Sequence, residues 1–198
     1  MPNDRFTIQP SDLASLYLNP PEASFQPCNR TLSCYITMSN KMKIYFCGSI
    51  RAGRCDVDLY GRIVKMLEKY GEVLTPFVAD PAVTALGTDE GTAKTDKEIH
   101  DRDVRLLQEC HAIVAEVTQP SLGVGYEIGR GVAMGKKILC IYRPQPDKKL
   151  SAMIRGADSN DFVTKDYEES QLPDILENFF KDMVKPGDKL DWKSYEPM

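Results

Sequence analysis

Short apolar runs alternate along the chain with segments in which apolar residues recur every three or four positions. Runs of this length without polar alternation are typical of strands that are buried on both faces of a sheet. They predict strands at 43–47, 111–117, 137–143 and 161–167. They also predict a strand in the segment "EVLTPFV" (72–78), where it ends at Pro76. The recurring spacing predicts helices at 56–71, 96–110 and 168–184, and a further helix that opens within 118–131.

Local signals support the limits of these helices. In the first helix, Asp56 is a suitable N-cap and Gly71 a suitable end. Its apolar face is formed by Tyr60, Ile63, Val64 and Leu67. In the last helix, Pro173 fits the first turn, where a missing N–H costs nothing.

The alternation of buried strands and amphipathic helices predicts an α/β domain with a parallel sheet covered on both faces. Ligands of such sheets bind beyond the carboxyl ends of the strands. The loops that follow the strands, 48–54, 76–96 and 118–125, are therefore the expected location of a site.

The two ends of the chain differ from this pattern. Residues 1–40 hold five of the 13 prolines and show no sustained periodicity, which predicts a poorly ordered extension. We expect the folded domain to occupy 41–184 and the remainder, 185–198, to be a loose tail.

Composition excludes some classes of partner. The chain has 198 residues, is 42% hydrophobic and carries a net charge of −4. This charge offers no electrostatic reason to bind a nucleic-acid polymer or an anionic membrane. No apolar run approaches the roughly 18 residues that a membrane span requires.

The six cysteines form no C-x-x-C pair, and the chain has only two histidines. A zinc site is therefore not expected. Cys47 and Cys140 lie within apolar runs, which is typical of buried free thiols. These features predict a reduced, intracellular protein. We expect it in the cytoplasm and also in the nucleus.

The segment "EVTQPSLGVGYEIGRG" (116–131) joins a predicted strand to a predicted helix through glycines. Its glycines, Gly123, Gly125 and Gly129, are one residue too widely spaced for the dinucleotide fingerprint G-x-G-x-x-G. Glu127 would also lie close to the pyrophosphate. It either stabilises the helix start or faces a pocket, where the helix dipole would favour its ionised, solvent-accessible form.

Three further features are candidates for the site. Asp103 lies on the apolar face of its predicted helix, so it is either paired in the core or borders a site. The segment "GSIRAGR" (48–54) is either a solvated loop or a turn that binds an anion or a sugar hydroxyl. The segment "LSAMIRG" (150–156) suits a helical turn at an interface, with Ser151 able to bind phosphate.

Together these motifs resemble a known family, the 2′-deoxynucleoside 5′-phosphate N-hydrolases of the nucleoside 2-deoxyribosyltransferase superfamily. The resemblance covers about 43–180 and rests on "YFCGSIR" (45–51), "IHDRD" (99–103), "VAEVTQPSLGVGYEIGRG" (114–131), "KILCIYRPQ" (137–145) and "LSAMIRGA" (150–157). It implies a Rossmann-like, flavodoxin-like three-layer sandwich with a five-stranded parallel sheet. It also implies a homodimer that cleaves deoxynucleoside monophosphates into free base and 2-deoxyribose 5-phosphate, without metal or redox cofactor.

The resemblance assigns roles to individual residues. Glu127 matches the nucleophile, Asp103 the supporting acid/base and Tyr45 the tyrosine beside the nucleophile. Ser121 matches a phosphate-binding serine, and Ser151 a second one that is contributed by the neighbouring subunit. The other positions that match the substrate site are Ile44, Phe46, Cys47, Gly48, Ser49, Ile50, Arg51, Tyr60, Phe77, Gly123, Gly125, Ala152 and Met153.

One position departs from the family pattern, because Phe77 stands where many members have a histidine. This departure leaves the base preference open. Two other functions also stay open: a nucleoside 2-deoxyribosyltransferase, which passes the sugar to a second base, and a nucleotide-binding protein without catalysis. The retained Glu127, Asp103 and Tyr45 favour an enzyme.

Overall fold

The computed structural model describes residues 41–83 and 95–183. The predicted extension 1–40, the tail 185–198 and residues 84–94 of the loop 76–96 lie outside these ranges. Within them the chain forms one sheet with helices on both faces.

All five strands are parallel, and their order is β2-β1-β3-β4-β5. The strands are β1 Lys43–Cys47, β2 Glu72–Val73, β3 Ala112–Glu116, β4 Lys137–Tyr142 and β5 Phe162–Asp166. This order is that of flavodoxin-like sheets, in which ligands bind where the strand order reverses, between β1 and β3. The predicted fold class is confirmed.

Within 41–83 and 95–183, five α-helices accompany the sheet: α1 Val57–Leu67, α2 Asp96–Glu109, α3 Leu122–Ala133, α4 Ala152–Arg155 and α5 Leu172–Phe180. Two 3₁₀ turns lie at Pro76–Ala79 and Glu169–Gln171. Pro173 occupies the first turn of α5, as predicted. None of the helices in 41–83 and 95–183 is long and apolar enough to cross a bilayer.

Two hydrophobic clusters cover the two faces of the sheet. Because neighbouring strand residues point to opposite faces, Ile44 and Phe46 pack with α1 and α5, whereas Tyr45 and Cys47 pack with α2 and α3. Gly131 lets α3 lie close to the sheet, since a Cβ there would be 2.3 Å from Cδ1 of Ile113. The alternation along β1 thus places Tyr45 on the face that carries α2 and α3.

The second strand is shorter than predicted. The ladder of β2 ends at Val73, and the Thr75 hydroxyl then bonds both the N–H of Phe46 (2.9 Å) and its carbonyl (2.6 Å). Pro76 begins the 3₁₀ turn, because it has no N–H to donate to a ladder. A side chain therefore takes over the pairing that the apolar run suggested for the backbone.

The N-cap position predicted for α1 is confirmed, but the role expected of its side chain is not. Asp56 stands at the N-cap but makes no side-chain cap hydrogen bond. Its Oδ2 is instead 2.5 Å from Nη2 of Arg143, which follows β4. A long-range ion pair thus takes the carboxylate that local sequence would assign to the helix start.

Candidate active site

A cavity of about 690 Å³ lies beyond the carboxyl ends of the central strands, between α2 and α3. The loop after β1 and the 3₁₀ turn after β2 complete its walls. Eight of the residues singled out from the sequence line it: Gly48, Ile50, Arg51, Phe77, Asp103, Ser121, Gly123 and Glu127. The cavity occupies the place that parallel α/β sheets offer to ligands.

Glu127 and Tyr45 meet at this cavity. The Tyr45 hydroxyl donates a hydrogen bond to Oε1 of Glu127, with 2.6 Å between the oxygens. Tyr45 is buried in β1, and Glu127 belongs to α3. The bond therefore orients a carboxylate of the helix from the centre of the sheet.

Burial raises the pKa of Glu127 to about 7, and the nearby charge of Asp103 acts in the same direction. Hydrogen bonds from Tyr45 and Cys47 and the charge of Arg102 oppose this rise. The expectation of a freely solvated carboxylate, ionised by the helix dipole, is therefore wrong. Glu127 lies in the second turn of α3, which begins at Leu122, and the dipole effect falls off within the first turn.

Asp103 enters the cavity from α2. Its side chain is 18% exposed, and Nε of Arg102 lies 2.8 Å from its Oδ1. The Arg102 guanidinium in turn lies over the Phe77 ring, 3.9 Å from the centroid. Asp103 is thus paired and also borders the cavity, so the two interpretations of its apolar-face position both hold.

The beginning of α3 supplies hydrogen-bond donors to the cavity. Ser121 is the N-cap, and its Oγ accepts a 3.4 Å bond from the N–H of Val124. Gly123 has open space where a Cβ would lie, its nearest neighbour being the Ser121 Oγ at 3.8 Å. Free N–H groups at a helix start, next to a hydroxyl, suit an anion.

The loop after β1 divides between the cavity and the core. Gly48, Ile50 and Arg51 line the cavity, whereas Ser49 is fully buried and its Oγ has no hydrogen-bond partner among the described residues. The N–H of Ser49 donates to the Tyr60 hydroxyl at 3.1 Å. Tyr60 also lies directly under Gly48, where a Cβ would approach its ring to 2.8 Å. Tyr60 therefore supports this loop from below, and Ser49 anchors it in the core.

The remaining residues expected at the substrate do not line the cavity of the single chain. Ile44 and Phe46 pack on the opposite face of the sheet, because they alternate with Tyr45 along β1. Cys47 is buried beneath Glu127. The others, on α3 and at α4, are exposed: Gly125, Ser151, Ala152 and Met153.

Several residues of the cavity were not singled out from the sequence. His100 of α2 and Tyr126 of α3 join the two helices through a 2.9 Å contact between Nε2 and the hydroxyl. Arg102, Asp96 and Val83 also line the walls. Helix periodicity could have placed His100 and Arg102 near Asp103, but only the fold shows that α3 faces them.

Glu116 is a second buried carboxylate near this edge of the sheet. It is 0% exposed and ends β3. It accepts hydrogen bonds from the N–H and hydroxyl of Thr118 and, at 3.1 Å, from the hydroxyl of Tyr167. Nε of Arg143 lies 3.6 Å away. Burial raises the pKa of Glu116, and these donors and the Arg143 charge oppose the rise.

Comparison with known proteins gives a matching family model and several similar sequences. The family model described as nucleoside 2-deoxyribosyltransferase matches residues 44–166. A 5-hydroxymethyl-dUMP N-hydrolase of Danio rerio is 54% identical over 145 residues, which are 73% of this chain and 99% of that protein. A 5-hydroxymethyl-dUMP N-hydrolase of Homo sapiens is 52% identical over 139 residues, 70% of this chain and 79% of that protein.

Among solved structures, the CMP N-glycosidase BcmB of Clostridium botulinum aligns with a TM-score of 0.44 and 21% identity. The alignment covers 68% of this chain and 98% of that chain.

Proposed function

Because the chain belongs to the nucleoside 2-deoxyribosyltransferase family, we propose that it hydrolyses the N-glycosidic bond of 2′-deoxynucleoside 5′-monophosphates. The products are a free base and 2-deoxyribose 5-phosphate. The observation that carries the proposal is the Glu127 carboxylate, held by Tyr45 in a cavity that Asp103 also lines. Relatives named for 5-hydroxymethyl-dUMP make a uracil nucleotide with a 5-substituent the first substrate to test.

The substrate spans the cavity from the helix start to α2. Its 5′-phosphate binds at the start of α3, where Ser121 and the N–H groups around Gly123 act as donors. The sugar lies over Glu127. The base extends towards α2, next to Asp103 and the Phe77 ring.

Two displacements complete the reaction. An oxygen of Glu127 forms a bond to C1′ while the bond from C1′ to the base nitrogen breaks, and its electron pair leaves with the base. A water oxygen then forms a bond to C1′, and the ester bond breaks so that its electron pair returns to Glu127. Of the two protons of this water, one stays on the new hydroxyl group of the sugar. The other proton neutralises the released base. Asp103 transfers protons in both steps.

The environment of Glu127 suits this role. A carboxylate with its pKa raised to about 7 is only partly ionised at neutral pH, but it is poorly solvated and has one well-oriented donor in Tyr45. Poor solvation leaves fewer water contacts to break when the carboxylate approaches a cationic sugar carbon. The same pKa makes the ionised fraction of the nucleophile sensitive to pH around neutrality.

The decisive experiment is a substrate panel with separation of the products. Deoxynucleoside monophosphates, including 5-hydroxymethyl-dUMP, are compared with the matching deoxynucleosides and ribonucleotides, each with and without a second base as acceptor. We expect free base and 2-deoxyribose 5-phosphate from the deoxynucleotides. We expect kcat/KM to fall about ten- to a hundredfold without the phosphate, since charge-assisted hydrogen bonds are lost. Sugar transfer to the acceptor in place of hydrolysis would identify a transferase.

The assembly expected from the resemblance is a homodimer, and the exposed apolar residues of this face support it. Leu122 is 96% exposed on α3, and Val132 extends the same helix surface. A Cβ at Gly125 would have no neighbouring atom within 4 Å, so the surface can accept a close neighbour. Met153, beside Ser151, is 83% exposed on α4. We infer that these surfaces meet in a dimer in which Ser151 reaches the partner's phosphate.

Complementation between two inactive variants tests this arrangement. Glu127→Gln and Ser151→Asp are mixed after unfolding and refolding together. If Ser151 serves the partner's site, half of the dimers carry one intact site, and about a quarter of wild-type activity returns. No recovery from a mixture that light scattering shows to be dimeric would place Ser151 in its own subunit's site. A fully active monomer would exclude the dimer.

We propose that the protein is located in the cytoplasm and also in the nucleus, as expected from the sequence. Cys47, Cys110 and Cys140 are buried free thiols, and Cys55 is an exposed free thiol. We propose that the enzyme acts in a reducing compartment. Microscopy of the tagged full-length chain distinguishes the two locations.

A further inference from the structure

Arg102 is a cation in the cavity wall that the mechanism above does not use. Its side chain is 22% exposed, and it lines the cavity next to Asp103. Two contacts restrain it: the guanidinium lies 3.9 Å from the centroid of the Phe77 ring, and Nε is 2.8 Å from Oδ1 of Asp103. A guanidinium held flat on a ring and by one nitrogen has a defined orientation.

The donors of Arg102 are only partly used. Its Nε bonds Asp103, but its two terminal nitrogens make no hydrogen bond to any residue in 41–83 or 95–183. Arg51 is the other arginine whose side chain could serve the cavity from the β1 loop, but it is 56% exposed and its Nη2 is 2.7 Å from Asp96. Among the residues that the structure describes, Arg102 is therefore a cation beside Asp103 with N–H groups to spare.

We propose that Arg102 is a specificity-determining residue that stabilises the negative charge developing on the departing base before Asp103 has protonated it. The inference rests on the proposed function, in which Asp103 and Phe77 flank the base. When the C1′–N bond of a uracil nucleotide breaks, the electron pair spreads over the ring nitrogen and the adjacent carbonyl oxygens. The terminal N–H groups of Arg102 donate to a carbonyl oxygen, and these hydrogen bonds strengthen as the charge develops.

The charge of Arg102 should hinder the release of adenine. Adenine leaves most readily after a ring nitrogen has taken up a proton, which makes the bound base positively charged before the bond breaks. A fixed guanidinium disfavours that protonated form. Arg102 should therefore favour uracil-type bases over adenine, and Phe77 contributes by holding the guanidinium flat.

The test compares leaving bases in Arg102→Met, which keeps an unbranched side chain of similar reach but removes the charge and the donors. The substrates are dAMP and a series of 5-substituted deoxyuridine monophosphates whose bases differ in acidity. We expect kcat/KM for the uracil nucleotides to fall about ten- to a hundredfold, while that for dAMP falls much less or rises. Within the uracil series, rates should depend more steeply on base acidity than in the wild type.

Two further variants sharpen the result. Arg105→Met, an exposed arginine on the same helix, should leave the ratio between uracil and adenine substrates unchanged. Arg102→Lys keeps the charge without the planar fork and should give an intermediate ratio, and it serves if Arg102→Met fails to fold.

The outcomes separate this inference from the proposed function. Equal losses for all bases, or an unchanged slope across the uracil series, would show that Arg102 only supports the wall and would overturn the inference. A wild-type enzyme that releases no base from any deoxynucleotide would overturn the proposed function itself.

Discussion

Glu116 and Glu127 belong to one sequence motif and lie near the same edge of the sheet, yet their surroundings differ. Glu116 is surrounded by protein: two donors of Thr118, the hydroxyl of Tyr167 and the guanidinium of Arg143. Glu127 accepts its hydroxyl bond from Tyr45 and borders the cavity. Burial raises the pKa of both carboxyl groups.

The two carboxylates differ in whether one side remains open to a ligand. Glu116 has three hydrogen-bond donors from the protein and does not line the cavity, so its charge holds β3 and the neighbouring loops together. Burial is costly for both carboxylates, but Glu127 keeps one side open to the cavity and has fewer protein donors, so more of this cost stays uncompensated. Such a cost is typical of functional sites, whereas a saturated network is typical of structural ones.

The largest expected effect is on turnover. Glu127→Gln should lower kcat/KM by about three to four orders of magnitude, because no other group can form the bond to C1′. Glu116→Gln should lose far less, since Glu116 does not line the cavity. Base release from 5-hydroxymethyl-dUMP measures both.

Trapping of the covalent intermediate tests directly whether Glu127 is the nucleophile. Wild-type enzyme that is denatured during turnover should carry a deoxyribose phosphate on the peptide containing Glu127, and mass spectrometry of the digest detects it. Turnover by Glu127→Gln close to that of the wild type would exclude Glu127 as the nucleophile.

For stability, we expect the larger effect from substitution of Glu116. Glu116→Ala should lower the free energy of unfolding by about 1–3 kcal/mol, because the donors of Thr118 and Tyr167 lose their buried acceptor, whereas Arg143 keeps its ion pair with Asp56. Urea denaturation at pH 7 measures this loss. Glu127→Ala should cost much less, as it removes a poorly solvated charge. A loss below about 1 kcal/mol for Glu116→Ala would contradict the structural role.

Glu127→Gln should stabilise the protein at alkaline pH. The folded-state pKa of Glu127 is raised from 4.5 to about 7, so the wild type loses stability as pH rises through that window. Glutamine has no such loss, so the advantage of the variant should grow by about 2–3 kcal/mol between pH 5 and pH 8. Denaturation curves at the two values test this. An advantage independent of pH would mean that Glu127 is ordinarily solvated.

The sequence predicted most of the fold because its signals are local. The apolar runs of β1, β3 and β4 and the periodicity of α2 need no information from distant residues. The errors are long-range contacts: Thr75 takes over the backbone pairing of Phe46, and Arg143 takes the Asp56 carboxylate from the helix start.

For the site, spacing alone left Glu127 between a helix-start role and a pocket, and the resemblance decided for the pocket. The contact between Tyr45 and Glu127 joins residues 82 positions apart, which no local pattern can reveal. Glu116 stands in the same motif and went unassigned, because sequence does not show that Thr118, Tyr167 and Arg143 converge on it. Phe77 was noticed as a departure, but its contact with Arg102 required the packing of the 3₁₀ turn against α2.

The smallest expected effect is that of removing the Tyr45 hydroxyl, which donates a hydrogen bond to Glu127. Tyr45→Phe removes a hydrogen bond that favours the ionised carboxylate, so the pKa of Glu127 should rise further. In the wild type, kcat/KM should fall as pH drops below about 7, because the nucleophile becomes protonated. In the variant this acid limb should move to higher pH by about one unit, while the plateau at alkaline pH changes little. Tyr70→Phe is the matched control, since Tyr70 donates to Glu177 at 3.1 Å on the opposite face of the sheet, and its pH profile should coincide with that of the wild type. A Tyr45→Phe profile with an unshifted limb and a uniformly lower plateau would mean that the hydroxyl positions Glu127 without tuning its ionisation.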